Sequence, residues 1–434
     1  MIQAILRRMD RNWRGPAVRV VVKDHSYVLG RGEPATQVVI HRPQILRRLA
    51  LRPSMAFGEG YMDGQIEVRG SLMDIMQGAY RSVGAIQGAA VGRFLDVCRR
   101  ALRINSARYA ARRARYHYDL GNEFYQLWLD PTMTYSCAYF LDHADDLAVA
   151  QQHKIDLLCA KVRLQRGMRL LDIGCGWGNL LLHAAAHHGV HATGITPSRE
   201  QAEHIETRAR QLGLSDRVHV VRGDWRSLQG RFDRIVSVGM FEHVPHSLYA
   251  RFFRLWRGLL ADGGLSLLHS IGRMDYAPGD PWIERYIFPG GDLRPIHEIL
   301  HRIARTGMLV MDVENLRQHY ARTLHCWMRN FARQRERVVR MFDERFARMW
   351  ELYLKGSEAA FRWGGLHLWQ IVIARDAGSP WPLNREVVGQ LADARIGSAA
   401  SILENASEYS AQSRGYDAAR GALRRAGRTV PPST

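Results

Sequence analysis

The residues best suited to chemistry lie in a short run. Asp172 closes an apolar segment, Met168 to Ile173, and Gly174-Cys175-Gly176-Trp177-Gly178 follows at once. Glycines at this spacing let the backbone approach a ligand where any Cβ would collide. The pattern is GxGxG, not the GxGxxG of dinucleotide folds, and no Lys-Ser/Thr follows as a phosphate loop requires. That argues against a pyrophosphate and for a smaller nucleoside ligand. Further on, Asp224 is placed to accept from an adenine amine and Trp225 to cover the ring; a turn aspartate and a packed aromatic are equally good readings of the pair. Gln201 stands three residues after Ser198, a helix-capping spacing to which a ligand role would be additional.

A strand, a glycine turn and a helix must position these groups. Met168–Ile173 reads as the strand and Leu180–His188 as the helix. Strand His191–Ile195, helix Ser198–Leu212, strand Val218–Val221, strand Arg234–Val238 and the apolar strand Leu265–His269 continue the alternation. Strands alternating with helices predict a parallel, doubly wound α/β sheet over Gln151 to about Arg273. Upstream, residues 1–102 read as a smaller α+β unit. Val18–Val22, Tyr27–Leu29 and Val38–Ile40 are its strands; Pro43–Leu51 and Ser71–Tyr80 are its helices. Ile2, Ile5, Leu6, Met9 and Trp13 share one helical face, which suits a membrane surface or docking onto the protein itself equally well.

The chain has 434 residues, 46% hydrophobic and 24% charged, enough for two domains with sizeable cores. No apolar run approaches the roughly 20 residues needed to cross a bilayer, and Met1–Pro16 lacks a signal-peptide core. Cys98, Cys137, Cys159, Cys175 and Cys326 are scattered without a CxxC pair, which suggests neither a zinc site nor disulfides and fits a reducing, cytoplasmic setting. His183, His187, His188 and His191 have no Cys or carboxylate beside them in sequence and read as a solvated helix end, so no metal is expected. The net charge of +19 favours a polyanionic partner, nucleic acid or acidic lipid. Part of it lies in a connector, Arg99 to Arg115, with seven arginines and no acidic residue; residues 103–116 are read as a basic linker. The last stretch, 377–434, reads as an extension, partly helical or disordered.

Several motifs in register carry a resemblance. His117-Tyr118-Asp119-Leu120-Gly121-Asn122, Tyr135-Ser136-Cys137-Ala138-Tyr139-Phe140, Leu171 to Gly178, Ser237 to His243, Leu267-Leu268-His269 and Asp280-Pro281-Trp282-Ile283 occur in one order, with Gly60 to Gly64 upstream. From about Gly58 to Arg375 the chain resembles the cyclopropane-fatty-acyl-phospholipid synthase family. The resemblance implies a Rossmann-like methyltransferase domain over residues 117–376 and a lipid-binding or accessory domain before it. It also implies S-adenosylmethionine as methyl donor, a cis double bond of a phospholipid acyl chain as acceptor, and a bound bicarbonate ion as base. Such a reaction needs close alignment and exclusion of water.

By the same resemblance Tyr135, Ser136, Gly174, Gly176, Thr196, Gln201 and Trp225 hold the cofactor, and the residue reading adds Asp224. Cys137, Glu242, His269, Ile271 and Tyr320 surround the bicarbonate. Tyr286, Phe288 and Trp282 are candidates to face a cation, against the commoner role of core packing. A homodimer, peripherally associated with an anionic membrane surface on its inner face and binding no nucleic acid, completes what the resemblance implies. A methyl-branched or methylene product is the nearest alternative. A nucleic-acid methyltransferase would share the charge and the cofactor domain but not the Tyr135–Tyr139 or Gly239–His243 motifs, and an inactive lipid-binding relative would not need Cys137, Glu242 and His269.

Overall fold

The computed structural model describes residues 2–86, 120–291 and 293–382. The basic connector, the residues His117 to Asp119 and the extension beyond residue 382 lie outside these.

The first sheet has the order β2-β1-β3-β4, built from β1 (Val18–Val22), β2 (His25–Leu29), β3 (Thr36–Ile40) and β4 (Ile66–Arg69). β1 runs antiparallel to β2 and parallel to β3. Alternate residues of β1, Val18, Val20 and Val22, are buried, the period-2 pattern of a strand with one covered face. Helices α1 (Ile2–Asn12), α2 (Ile45–Leu51), α3 (Pro53–Met62) and α4 (Leu72–Ile86) cover it. α1 docks on its own protein: Leu6 is buried, Asp10 Oδ1 accepts from the Gly30 amide at 2.8 Å, and Trp13 packs where any Cβ on Gly78 would meet its ring at 2.0 Å.

The second sheet has seven strands in the order β10-β11-β9-β8-β5-β6-β7. These are β5 (Arg169–Ile173), β6 (His191–Thr196), β7 (Val218–Arg222), β8 (Phe232–Val238), β9 (Leu260–Gly272), β10 (Leu309–Asn315) and β11 (His367–Ala374). β5 to β9 pair in parallel, as the alternation required. β11, absent from the sequence reading, enters antiparallel between β9 and β10. In order, α5 (Asn122–Gln126), α6 (Leu147–Lys161), α7 (Asn179–His188), α8 (Arg199–Gln211), α9 (Tyr249–Leu259), α10 (Pro281–Tyr286) and α11 (Ile296–Ala304) accompany the strands, and a long pair, α12 (Arg317–Met341) and α13 (Glu344–Arg362), precedes β11. No described helix is long and apolar enough to cross a membrane.

The two sheets are tied through α3. A Cβ on Gly58 would lie 2.3 Å from Trp282, the Tyr61 hydroxyl donates to Glu351 of α13 at 3.1 Å, and Ser54 Oγ donates to Asp280 at 2.5 Å. Behind the glycine turn, Phe124, Tyr125, Trp128, Trp327 and Trp350 form one buried aromatic cluster.

Candidate functional site

β5 delivers its last residues to the glycine turn at the carboxyl edge of the sheet. Gly174, Gly176 and Gly178 have φ of +87°, +54° and +84°, a region that side chains disfavour. A Cβ on Gly174 would lie 2.5 Å from Met240, and one on Gly178 2.5 Å from Ile205, whereas Gly176 meets nothing within 4 Å and looks into open space. The turn is held from outside. Trp177 Nε1 donates to Asn122 at 2.8 Å, and the Asn179 amide donates to Thr132 at 3.0 Å and to Thr134 at 2.9 Å.

A cavity opens along this edge, and all eight proposed cofactor residues line it: Tyr135, Ser136, Gly174, Gly176, Thr196, Gln201, Asp224 and Trp225. Ser198 caps α8 through the Gln201 amide as expected. The Gln201 side chain departs from a capping box by accepting from Thr196 Oγ1 at 2.6 Å, which turns both groups toward the cavity edge. Asp224 is held by Arg226 through two 2.6 Å bonds and caps the turn after it, and Trp225 packs on Phe252 at 5.1 Å. The turn-and-packing reading of this pair is therefore realised, while both still line the cavity. Burial raises the Asp224 carboxyl, but the Arg226 bonds outweigh it and hold the group below its usual range.

Two groups in the cavity wall had no role in the sequence reading, Lys154 unremarked and Asp172 seen only as the end of its strand. Asp172 and Lys154 are both buried. Burial pushes the Asp172 carboxyl up to about 7 against the pull of Lys154, and its Oδ1 has no hydrogen-bond partner among the described residues. Burial pulls the Lys154 ammonium down to about 8, with Asp130, Cys137 and Asp172 acting in the opposite sense. Lys154 donates to Ser136 Oγ at 2.9 Å, and Gln151 one turn earlier donates to the Ser136 carbonyl at 2.9 Å. α6 thus fixes the Tyr135–Cys137 segment from behind; Tyr135 is fixed in front by a 2.6 Å contact between its hydroxyl and that of Tyr353.

Cys137, Glu242, His269, Ile271 and Tyr320 do not line this cavity; they lie beside it, linked through Ser136 and through Gly239, whose amide donates to the His269 carbonyl at 2.9 Å. β9 runs three residues past His269, and His269 and Ile271 share one of its faces. The Ile271 amide donates to Glu242 Oε1 at 2.7 Å, so this backbone group already has a partner. Glu242 Oε2 is buried with no partner among the described residues. Burial pushes the carboxyl up to about 7, opposed by the Ile271 amide. His269 is fully buried; Nδ1 faces Gln370 at 3.2 Å and Nε2 has no partner among the described residues. Burial, helped by Lys154 and Lys161, holds the ring well below its ordinary range, so it is neutral.

Cys137 is buried and its thiol is raised far above the usual range by burial, so it is a neutral donor, directed at the Ala138 carbonyl at 3.2 Å and the Leu316 carbonyl at 4.0 Å. The Tyr320 amide bonds to the same Leu316 carbonyl at 3.0 Å, and the Leu316 amide bonds to Leu368 opposite Ile271. Leu316 therefore joins Cys137 and Tyr320 to the strand carrying Ile271.

Of the two readings open for Trp282 and Tyr286, packing is the one realised: both face α3, Trp282 buried against Gly58 and Met62, and the Tyr286 hydroxyl donating to Glu59 at 3.0 Å. Of the three aromatics only Phe288 stays near the site, 6.3 Å from His243 and 5.6 Å from Tyr353 between ring centres. One sequence reading needs correction: the histidines of α7 are joined by a Cys and a carboxylate after all. Cys159, His183 and His188 bring ligand-type atoms within 4.8 Å, and Asp156 lies 3.0 Å from His183 Nε2. His183 Nδ1 in turn contacts Gln152 at 3.2 Å, so both ring nitrogens are engaged by α6.

Known proteins similar to this chain share its sequence pattern and fold. A model of the family described as Mycolic acid cyclopropane synthetase matches residues 105–371, and one described as a domain of unknown function (DUF7884) matches residues 17–88. The chain is 36% identical over 371 residues to the cyclopropane-fatty-acyl-phospholipid synthase of Escherichia coli (strain K12), covering 84% of this chain and 94% of that one. It is 34% identical over 377 residues to the tuberculostearic acid methyltransferase UfaA1 of Mycobacterium tuberculosis, covering 83% and 88%. The solved structure of the mycolic acid cyclopropane synthase CmaA1 complexed with SAH and CTAB aligns with a TM-score of 0.58 at 34% identity, over 61% of this chain and 98% of that one.

Proposed function

The chain belongs to the mycolic acid cyclopropane synthetase family and is an S-adenosylmethionine-dependent methyltransferase, and on that premise we propose that it converts cis double bonds of membrane phospholipid acyl chains into cyclopropane rings. Bound S-adenosylmethionine supplies an electrophilic methyl group. The fit of the cavity supports this: Gly176 leaves space where a side chain would stand, and the buried Asp172 Oδ1 is an unpartnered acceptor suited to a cationic ligand. Tyr135, Ser136, Gly174, Thr196, Gln201, Asp224 and Trp225 would hold the nucleoside and amino-acid parts.

One observation carries the assignment of the base. Glu242 Oε2 and His269 Nε2 are both buried and both unpartnered among the described residues, in a neutral imidazole and a carboxyl poised near 7. Buried polar atoms need partners, and one bicarbonate within reach of both would accept from the His269 N–H and share a proton with Glu242 Oε2. Bicarbonate at this place would supply a base for the proton that must leave before a ring closes. The His269 N–H and the Cys137 thiol are candidate donors to it, with the Tyr320 hydroxyl. Glu242, its Oε1 fixed by Ile271, keeps Oε2 able to give or take a proton near neutral pH.

The similarity to UfaA1 favours one second reading, a methylene-bearing product from the same first step, which a hydride donor would convert to a methyl branch. The charge of +19 supports peripheral association with an anionic membrane, and we include a homodimer in the proposal. The test uses the full chain, methyl-labelled S-adenosylmethionine and vesicles of cis-monounsaturated phospholipid, in buffer with and without bicarbonate. Lipid mass spectrometry should find one added methylene per chain, and derivatisation should find a ring. Label in a methylene branch, the alkene isomer of the ring, would establish the second reading, a saturated branch requiring a hydride donor that this mixture lacks; no label in acyl chains would overturn both.

A further inference from the structure

Gln370 stands directly opposite His269 in the antiparallel pairing of β11 with β9, and both side chains are fully buried. The Gln370 amide sits between two partners. On one side Lys161 Nζ lies 2.8 Å from Oε1; on the other Nε2 lies 3.2 Å from His269 Nδ1. A lysine ammonium, here beside the carboxylates of Glu314 and Asp312, has only hydrogens to offer, so the atom facing it must be the carbonyl oxygen. The amide nitrogen must then face the histidine, and an amide NH2 can only donate. His269 Nδ1 is thereby obliged to accept, and the single proton of the neutral ring is placed on Nε2. Lys161 is itself held by Glu314 and, at 3.8 Å, by Asp312, so the chain of donors has a fixed start.

We propose that Gln370, oriented by Lys161, is a positioning residue that locks His269 as the Nε2–H tautomer, so that the ring presents a hydrogen-bond donor and never a lone pair toward the reaction centre. This deepens the proposed function and rests on its reading that His269 meets an anion, since a donor is what an anion requires and a lone pair would repel it. The partner of a histidine's other nitrogen commonly sets its tautomer in this way.

The inference is tested on the full chain labelled with [15N]histidine, with the His269 signals assigned from their loss in His269→Gln. Two-bond 1H–15N correlation spectra at neutral pH should show an unprotonated Nδ1 and a protonated Nε2 in the wild type. A proton on Nδ1 in the wild type overturns the proposal without any variant having to fold. In Gln370→Glu the carboxylate can only accept, so Nδ1 should gain a proton; an unchanged Nδ1 in the folded variant also overturns it. The same samples titrated with 13C-bicarbonate should lose about tenfold or more in affinity in Gln370→Glu, with cofactor affinity changed less than about threefold. If the wild type has the expected tautomer and the variant switches it, but neither binds bicarbonate, the tautomer lock stands and the bicarbonate reading of the site falls.

Discussion

The amide of Ile271 donates to Glu242 Oε1 at 2.7 Å, and this bond divides the carboxyl into an anchored oxygen and a buried, unpartnered one. Glu242→Gln keeps an anchored carbonyl but replaces Oε2 with a group that only donates. S-adenosylmethionine affinity should stay within about threefold by calorimetry, while turnover measured by lipid mass spectrometry falls about a hundredfold or more. Loss of cofactor binding as the main defect would move Glu242 to the cofactor side.

Stability should carry the mark of the same carboxyl. Burial raises it from 4.5 to about 7 in the folded chain. Below about 4.5 both folded and unfolded forms are protonated and the group costs nothing. Between 4.5 and 7 the unfolded chain gives up its proton first, so folding free energy is lost as pH rises, up to on the order of 3 kcal/mol above 7. Glu242→Gln has no such titration. Urea denaturation should find the variant gaining on the wild type between pH 5 and pH 8; a difference flat with pH would contradict the burial.

The three turn glycines should respond differently to alanine. Gly174→Ala and Gly178→Ala each bring a Cβ to 2.5 Å from a neighbour at positive φ, and should lower stability by about 2–4 kcal/mol in thermal or urea unfolding. Gly176→Ala meets no protein atom within 4 Å and should cost only about 1 kcal/mol, yet its methyl projects into the cofactor space. For that variant the measured defect should be cofactor affinity in calorimetry, with the melting curve nearly unchanged. The reverse order would mean the turn does not face the ligand.

Asp172 gives a pH dependence of binding. Its carboxyl is near 7, and only the ionised form attracts a cationic ligand. S-adenosylmethionine affinity should weaken from pH 8 to pH 6 in the wild type. Asp172→Asn should bind about tenfold more weakly at pH 8 and show little of that pH dependence. Calorimetry across the range decides it, and an Asn variant that keeps the wild-type profile would remove Asp172 from the site.

Much of this site was legible because it depends on local sequence. The run from Leu171 to Gly178 fixes strand, turn and helix within eight residues, and Ser198 announces the start of α8 with its own hydroxyl. What escaped depends on distance along the chain. Lys154 looks like any helix lysine until Ser136 and Asp172 are folded around it. Gln370 lies in an apolar run that carries no sign of pairing with His269, 101 residues away. Trp282 and Tyr286 were left between two readings for the same reason: their partners, Gly58 and Glu59, are more than 200 residues upstream, and an aromatic beside a reactive motif does not reveal which way it faces.

The antiparallel entry of β11 has a consequence for the order in which the molecule comes into being. The strands β5, β6 and β7, the glycine turn and Trp225 are complete by residue 225, and the rest of the cavity wall follows by Leu248, so a growing chain carries the residues of the nucleoside cleft before those of β11. Gln370, which orients His269, and Leu368, which ties Leu316 to the sheet, come from the last of the described strands to emerge. Gln370 follows Trp225 by nearly 150 residues of translation, and a nascent chain halted between His269 and Gln370 holds that ring without the amide that faces it.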